Sequence, residues 1–145
     1  AIDELNMREF PLVITPHFGE LSYLTGVNKN NIISTFPEFM TEFMSKFNHT
    51  ALVKQVPSCT FNKKEVIVNS TGNPGLATGG TGDILSGIIA SFIAQGMGLK
   101  TASAVASFIH GKASDNLISE KGYRGQIASD LFDQIPKIIS SYEKY

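Results

Sequence analysis

Apolar and polar positions fall into blocks whose period changes along the chain. Pro11-Leu12-Val13-Ile14-Thr15 is a short β-rich run stopped by Pro16, which predicts a buried strand. His17-Phe18-Gly19-Glu20 then opens a short helix, with Leu21 and Leu24 on one side and Gly26 as its C-cap. Between Asn30 and Phe47, the residues Ile33, Phe36, Met40, Phe43, Met44 and Phe47 recur at helical spacing, and Pro37 interrupts the pattern and marks the first turn of the main helix. That aromatic stripe reads as core, because Phe and Met are buried far more often than they form a stacking site. Thr50-Ala51-Leu52-Val53-Lys54 predicts a second strand. Cys59 to Asn62 and Glu65 to Val68 flank Lys63-Lys64 as an antiparallel pair.

The second half reads as helices fed by a loop. Asn69 to Gly87 runs N-S-T-G-N-P-G-L-A-T-G-G-T-G-D-I-L-S-G, with six glycines in nineteen residues. Ile84, Leu85, Ile88, Ile89, Phe92 and Ile93 then form one apolar stripe. Gly87, Ala90, Ser91 and Ala94 form a small-residue face, which predicts a helix covered on both sides and ended by Gly96 and Gly98. A further helix is expected over Thr101 to Ser119, with Ala102, Val105, Ala106, Ile109, Ala113 and Leu117 inward. A last helix is capped by Ser129 or Asp130, carries Leu131, Ile135, Ile138 and Ile139, and kinks or restarts at Pro136.

Bulk properties narrow the class. The 145 residues are 42% hydrophobic and 17% charged, the profile of one globular domain with a real core. A net charge of −1 gives no electrostatic case for nucleic acid or a membrane surface. No apolar run reaches the length of a membrane span. Cys59 is the only cysteine, so no disulfide scaffold is possible; a reducing compartment, the cytoplasm, is the expected location.

The candidate chemistry gathers on the glycine run. A segment so rich in glycine can aim several backbone N–H groups at one point, and at a helix start those groups have no intrahelical partner and favour an anion. Asp83 stands at that turn as the one carboxylate, readable as a catalytic acid–base or as a plain helix cap. Thr15, His17 and Glu20 follow a strand end, the ligand side of an open α/β sheet. Lys54 ends an apolar strand, as a solvated terminus or a phosphate contact. The run is neither a Walker loop nor G-x-G-x-x-G. His17, His49 and His110 are scattered with no metal-ligand spacing, so no metal ligands are assigned, and His110 reads as a satisfied core histidine.

Several stretches together resemble one family. They are D-E-L-N at Asp3 to Asn6, V-I-T-P-H-F-G-E at Val13 to Glu20, L-V-K at Leu52 to Lys54, the run from Asn69 to Ala90, and I-A-S-D at Ile127 to Asp130. In this order they resemble the ADP/ATP-dependent NAD(P)H-hydrate dehydratases of the ribokinase-like superfamily. The G-T-G-D turn alone is shared with small-molecule kinases of that superfamily. The resemblance implies an α/β fold, a three-layer ribokinase-like sandwich, of which residues 1–145 would be the C-terminal part of one domain: the later half of the sheet with its flanking helices. Residues 1 to 6 would then be the exit of a strand, and the open sheet edge would be covered by a complementary N-terminal half or a second copy.

The resemblance also implies a reaction. The substrate would be the S form of hydrated NADH or NADPH (NADHX or NADPHX). ATP or ADP, with Mg²⁺, would phosphorylate the C6 hydroxyl, and loss of phosphate would restore the ring double bond. Asp83 matches the family's base and substrate contact, and His17 its substrate-contacting histidine. Gly79, Gly80, Thr81 and Gly82 would offer backbone N–H groups to the phosphates. Lys54, Gln55, Val56, Pro57, Ser58 and Asn73 match nucleotide-binding segments, although the family usually has Gly where Gln55 stands. Two other readings are a kinase for a small hydroxyl-bearing substrate, and a nucleotide-binding half inactive without a complementary chain.

Overall fold

The computed structural model describes residues 2–143. Ala1, at the start of the segment expected to leave a strand, lies outside them. The chain divides into two compact units, one up to Val68 and one from Asn69 onward.

The first unit holds a four-stranded mixed sheet in the order β1 (Val13–Ile14), β2 (Thr50–Val53), β3 (Cys59–Phe61), β4 (Val66–Val68). β1 runs parallel to β2, with Val13 opposite Thr50; β2–β3 and β3–β4 are antiparallel. Every residue of β2 is buried, as expected of a central apolar strand covered on both faces. The helices are α1 (Ile2–Asn6), α2 (Phe18–Thr25), α3 (Lys29–Ser34) and α4 (Phe36–Lys46). Leu21, Ile32, Met40, Phe43, Met44 and Phe47 pack with Ala51 and Val53 into one core. The phenylalanines meet one another edge-on or stacked, so the aromatic stripe is core.

Two expectations fail in this unit. The first residues are helical, not a strand exit: Asp3 and Glu4 sit in the first turn, where acids favour a helix start. Ile2 and Leu5 pack on the core, and Asn6 ties α1 down by donating to Lys46 O and accepting from Asn48 N–H. Pro37 stands in the first turn of the main helix, α4, as expected, but Ile33 is not on its apolar stripe, because the residues before Thr35 form a separate helix, α3. In α3, Ile32 is buried while Ile33 is 48% exposed.

The second unit is helical: α5 (Thr81–Ala94), α6 (Leu99–Asn116), α7 (Ile118–Lys121) and α8 (Asp130–Tyr142), with one 3₁₀ turn at Pro74–Leu76. Ile109, Ala113, Leu117, Leu131 and Ile138 form its core, with Leu76, Ile84, Phe92 and Phe108 against it. Gly96, at φ +92°, closes the end of α5. The small-residue face of α5 is open rather than covered: Gly87, Ala90, Ser91 and Ala94 are all exposed. Nothing lies within 4 Å of the place where a Gly87 Cβ would stand. Neither expected cap holds α8 by its side chain. Ser129 makes no capping bond, and the Asp130 carboxylate instead accepts from Ile127 N–H and Lys121 Nζ.

Candidate functional site

In the first unit the end of β1 meets the end of β2. Pro16 O accepts from Lys54 N–H at 2.8 Å, and His17 pairs with Lys54 as a single parallel bridge. His17 is the N-cap of α2. Its Nδ1 accepts from Glu20 N–H at 3.0 Å, while Glu20 Oε2 accepts from His17 N–H at 2.7 Å. This is a capping box with imidazole in the place of the usual hydroxyl. The same Glu20 oxygen lies 3.2 Å from Lys54 Nζ. Burial pushes the Glu20 carboxyl up, but the His17 N–H and the Lys54 ammonium outweigh it and hold the pKa below the ordinary value. Lys54 is therefore a half-buried, paired cation rather than a solvated strand end, and Glu20 is the residue that holds it and His17 together.

Gln55, Val56, Pro57 and Ser58 form the link from β2 to β3, with a cis bond before Pro57. Gln55 takes no positive φ, so nothing in its backbone conformation asks for the glycine usual in the family.

In the second unit the glycine run is mounted on α6. Asp115 accepts from Gly72 N–H at 3.0 Å and from Asn73 Nδ2 at 2.9 Å, and Asn73 Oδ1 accepts from Gly75 N–H. Asn69 donates to Ser107, and Thr71 Oγ1 donates to Phe108 O. The approach needs Gly111: a Cβ there would stand 2.4 Å from Thr71 Oγ1 and 2.7 Å from Thr71 C. Gln126 clasps the run from the other side. Its amide oxygen accepts from Ser114 Oγ, its backbone oxygen accepts from Thr78 Oγ1, and its amide fills the space a Gly75 Cβ would need. Buried Asn73 thus uses its side chain to shape the loop, not to face outward.

The turn into α5 follows from this mounting. Gly80 takes φ +87°, a left-handed conformation that L side chains avoid, and serves as the N-cap. Thr81 is buried and its hydroxyl donates to Leu76 O and Thr78 O. Thr81 N–H turns to Thr78 O, and Asp83 N–H to Gly80 O. Among the described residues no partner is found for the N–H groups of Gly79, Gly80 and Gly82. The Thr81 N–H, a further donor that the resemblance implies, is already bonded to Thr78 O. Asp83 is exposed in the first turn.

Gly79 and Gly80 are glycines for different reasons. Gly80 needs its φ, and its Cβ would also crowd Ala128 at 3.2 Å. Gly79 takes no positive φ, and a Cβ there would meet nothing within 4 Å. Among the described residues nothing requires glycine at 79.

His110, on α6, is buried as expected, but not fully satisfied: Nε2 finds no hydrogen-bond partner among the described residues. Burial pushes its pKa down to about 4, against the opposing pull of the Thr81 backbone, so the ring is neutral near neutral pH. Among the described residues no three His, Cys, Asp or Glu side chains gather where they could hold a metal ion. A protein-built Mg²⁺ cage does not fit these residues; Mg²⁺ in nucleotide sites is held largely by phosphates and water.

Comparison with known proteins names what this arrangement belongs to. The profile of a family described as NAD(P)H-hydrate dehydratase matches residues 1–137. The chain belongs to that family. The bifunctional NAD(P)H-hydrate repair enzyme of Moorella thermoacetica is 35% identical over 135 residues, covering 92% of this chain and 26% of that protein. The ADP/ATP-dependent NAD(P)H-hydrate dehydratase of Bacillus subtilis, crystallised with ATP/Mg²⁺, superposes with a TM-score of 0.87 at 29% identity, covering 94% of this chain and 50% of the other. A ribokinase-like superfamily protein of Enterococcus faecalis gives a TM-score of 0.77 at 26% identity, covering 94% and 47%. The fold is therefore ribokinase-like α/β. This dehydratase-family chain spans about a quarter of the Moorella protein's length and half that of the Bacillus enzyme. Among the described residues no helix is long and apolar enough to cross a membrane.

Proposed function

We propose that this chain carries out, or supplies the nucleotide-facing part of, the ATP- or ADP-dependent dehydration of the S form of hydrated NADH or NADPH. The observation that carries the reading is the turn at Gly79 to Asp83. There, three backbone N–H groups without partners among the described residues stand at or just before the start of a fourteen-residue helix, beside one exposed carboxylate. A helix start with free donors favours the phosphoryl group and the charge that builds on it during transfer.

In this reading Asp83 takes the proton of the C6 hydroxyl as the phosphoryl group arrives. Gly79, Gly80 and Gly82 hold the phosphoryl oxygens, and Lys54 contributes a cation to the phosphates, with Gln55, Val56, Pro57 and Ser58 alongside the nucleotide. Asn73 acts by holding the loop in shape. His17 contacts the hydrated dinucleotide. Mg²⁺ would enter with the nucleotide, and no step here depends on a protein ligand for it. Residues 1–145 then form the C-terminal part of a single ribokinase-like domain. A complementary N-terminal half, or a second copy, covers the free edge of β1 and completes the pocket in the cytoplasm. The coverage of half the Bacillus enzyme supports that partner.

Asp83→Asn separates chemistry from binding. Turnover should fall by roughly 10²–10⁴-fold, the usual weight of a general base, while nucleotide affinity measured by calorimetry stays unchanged. Unchanged turnover would remove Asp83 from the chemistry. Phosphorylation of a small alcohol with no action on the hydrate would favour the kinase reading.

A further inference from the structure

His17, Gly19, Glu20 and Lys54 form a device that fixes more than the start of a helix. His17 Nδ1 accepts the Glu20 N–H at 3.0 Å. A nitrogen that accepts a hydrogen bond presents a lone pair, so in the neutral ring the proton resides on Nε2. A proton on Nδ1 would face the Glu20 N–H, and the cap selects against that tautomer. The ring is kept over the backbone by two further features. Gly19 leaves the space it occupies: a Cβ there would come within 2.9 Å of His17 Cε1 and 3.2 Å of Nδ1. Glu20 Oε2 binds the His17 N–H and pairs with Lys54 Nζ, so the carboxylate that caps the helix also places the cation. The His17 side chain is 56% exposed, and Nε2 has no partner among the described residues.

We propose that His17 is locked with Nδ1 as acceptor and Nε2–H presented outward, making it a hydrogen-bond donor that recognises an acceptor oxygen on the ligand, with Gly19 and Glu20 as its positioning residues. His17 is not a base in this arrangement, because the lone pair that would take a proton is already bonded to the Glu20 N–H. The spacing His-x-Gly-Glu then has a physical account. The histidine donates outward, the glycine makes room for its ring, and the glutamate closes the cap and holds the lysine. The ligand half of this proposal rests on the dehydratase reading, while the tautomer does not.

Two measurements test it on the intact chain. Long-range ¹H–¹⁵N correlation NMR of the neutral ring should show His17 with an unprotonated Nδ1 and a protonated Nε2; the Nδ1–H tautomer would overturn the proposal outright. His17→Asn keeps an acceptor oxygen at the cap, since Asn is a preferred N-cap, but has no group at Nε2. The melting temperature of His17→Asn should match that of the unmodified chain, while affinity falls about tenfold, the weight of one hydrogen bond. Affinity is read by calorimetry in two arms, ADP and the S hydrate of NADH, to tell a phosphate acceptor from one on the hydrated dinucleotide. The loss is expected in the hydrate arm; a loss confined to ADP would support the donor role and place the acceptor on a phosphate. Gly19→Ala should reproduce the loss with His17 unchanged. Unaltered affinity of His17→Asn in both arms would overturn the donor role. Absence of binding by the unmodified chain in both arms would overturn the recognition half and count against the dehydratase reading, with the tautomer still read from the spectrum.

Discussion

Gly79 and Gly80 are neighbours of one residue type, and they should respond differently to the same change. Gly80→Ala forces an L residue to φ +87° and presses it against Ala128, so it should destabilise the chain by about 1–2 kcal/mol, read as a lower denaturant midpoint. Gly79→Ala meets neither obstacle and should leave the midpoint unchanged. If Gly79 is bare so that a phosphate can approach its N–H, nucleotide affinity should nevertheless drop by about ten- to a hundredfold, the weight of a hydrogen bond to a charged group. Equal affinity in Gly79→Ala would take this N–H out of the anion site. A single substitution thus separates a glycine kept for the fold from one kept for a ligand.

At the scale of elements, the glycine run holds its shape because α6 carries it. The Asp115 carboxylate bonds both Gly72 N–H and Asn73 Nδ2, and Asp115→Ala leaves those donors unpaired. The expected loss is about 3 kcal/mol by chemical denaturation, since charged hydrogen bonds weigh more than neutral ones. Gly111→Ala should be at least as damaging, because its Cβ would overlap the backbone of Thr71 and either α6 or the run must move. These contacts mark the limit of what the sequence discloses. Strand β2, the β3–β4 pair, and α2 with its Gly26 cap rest on local signals, and all were legible. So were Asp83 at a helix start and His17 at a strand end. The Asp115 contacts join positions more than forty residues apart, and nothing near Asp115 announces them. Gly111 inside a helix was the visible clue, since a mid-helix glycine asks for a close backbone neighbour. Ile33, expected on the stripe, is exposed and Ile32 is buried for a related reason: the interruption before Pro37 makes α3 a separate helix with its own buried face. The N-terminal segment is a strand exit by the resemblance alone, and the structure instead makes it α1, with Asp3 and Glu4 in its first turn.

For the molecule as a whole, each unit has its own apolar core, and the second carries an acid-sensitive group inside it. His110 is neutral and buried, with a pKa of about 4 against 6.5 for the free side chain. Its folded-state pKa is lowered, so the unfolded chain binds the proton more readily. Stability is full above about pH 6.5 and is lost as pH falls toward about 4. Between about pH 7 and about pH 5 the chain should lose about 2 kcal/mol from this group, measured as the fall in unfolding free energy. His110→Leu should flatten that dependence; an equally steep curve in the variant would assign the acid sensitivity elsewhere. Membership of the dehydratase family and the ribokinase-like fold are established for a chain that spans half of the Bacillus enzyme, so the decisive question is chemical. The most direct measurement is recovery of NADH absorbance from its S hydrate on addition of ATP or ADP, with this chain alone and then with a complementary N-terminal half. The account predicts nucleotide-dependent recovery in at least the second case, abolished by Asp83→Asn. Recovery absent in both, or undiminished in Asp83→Asn, would contradict it.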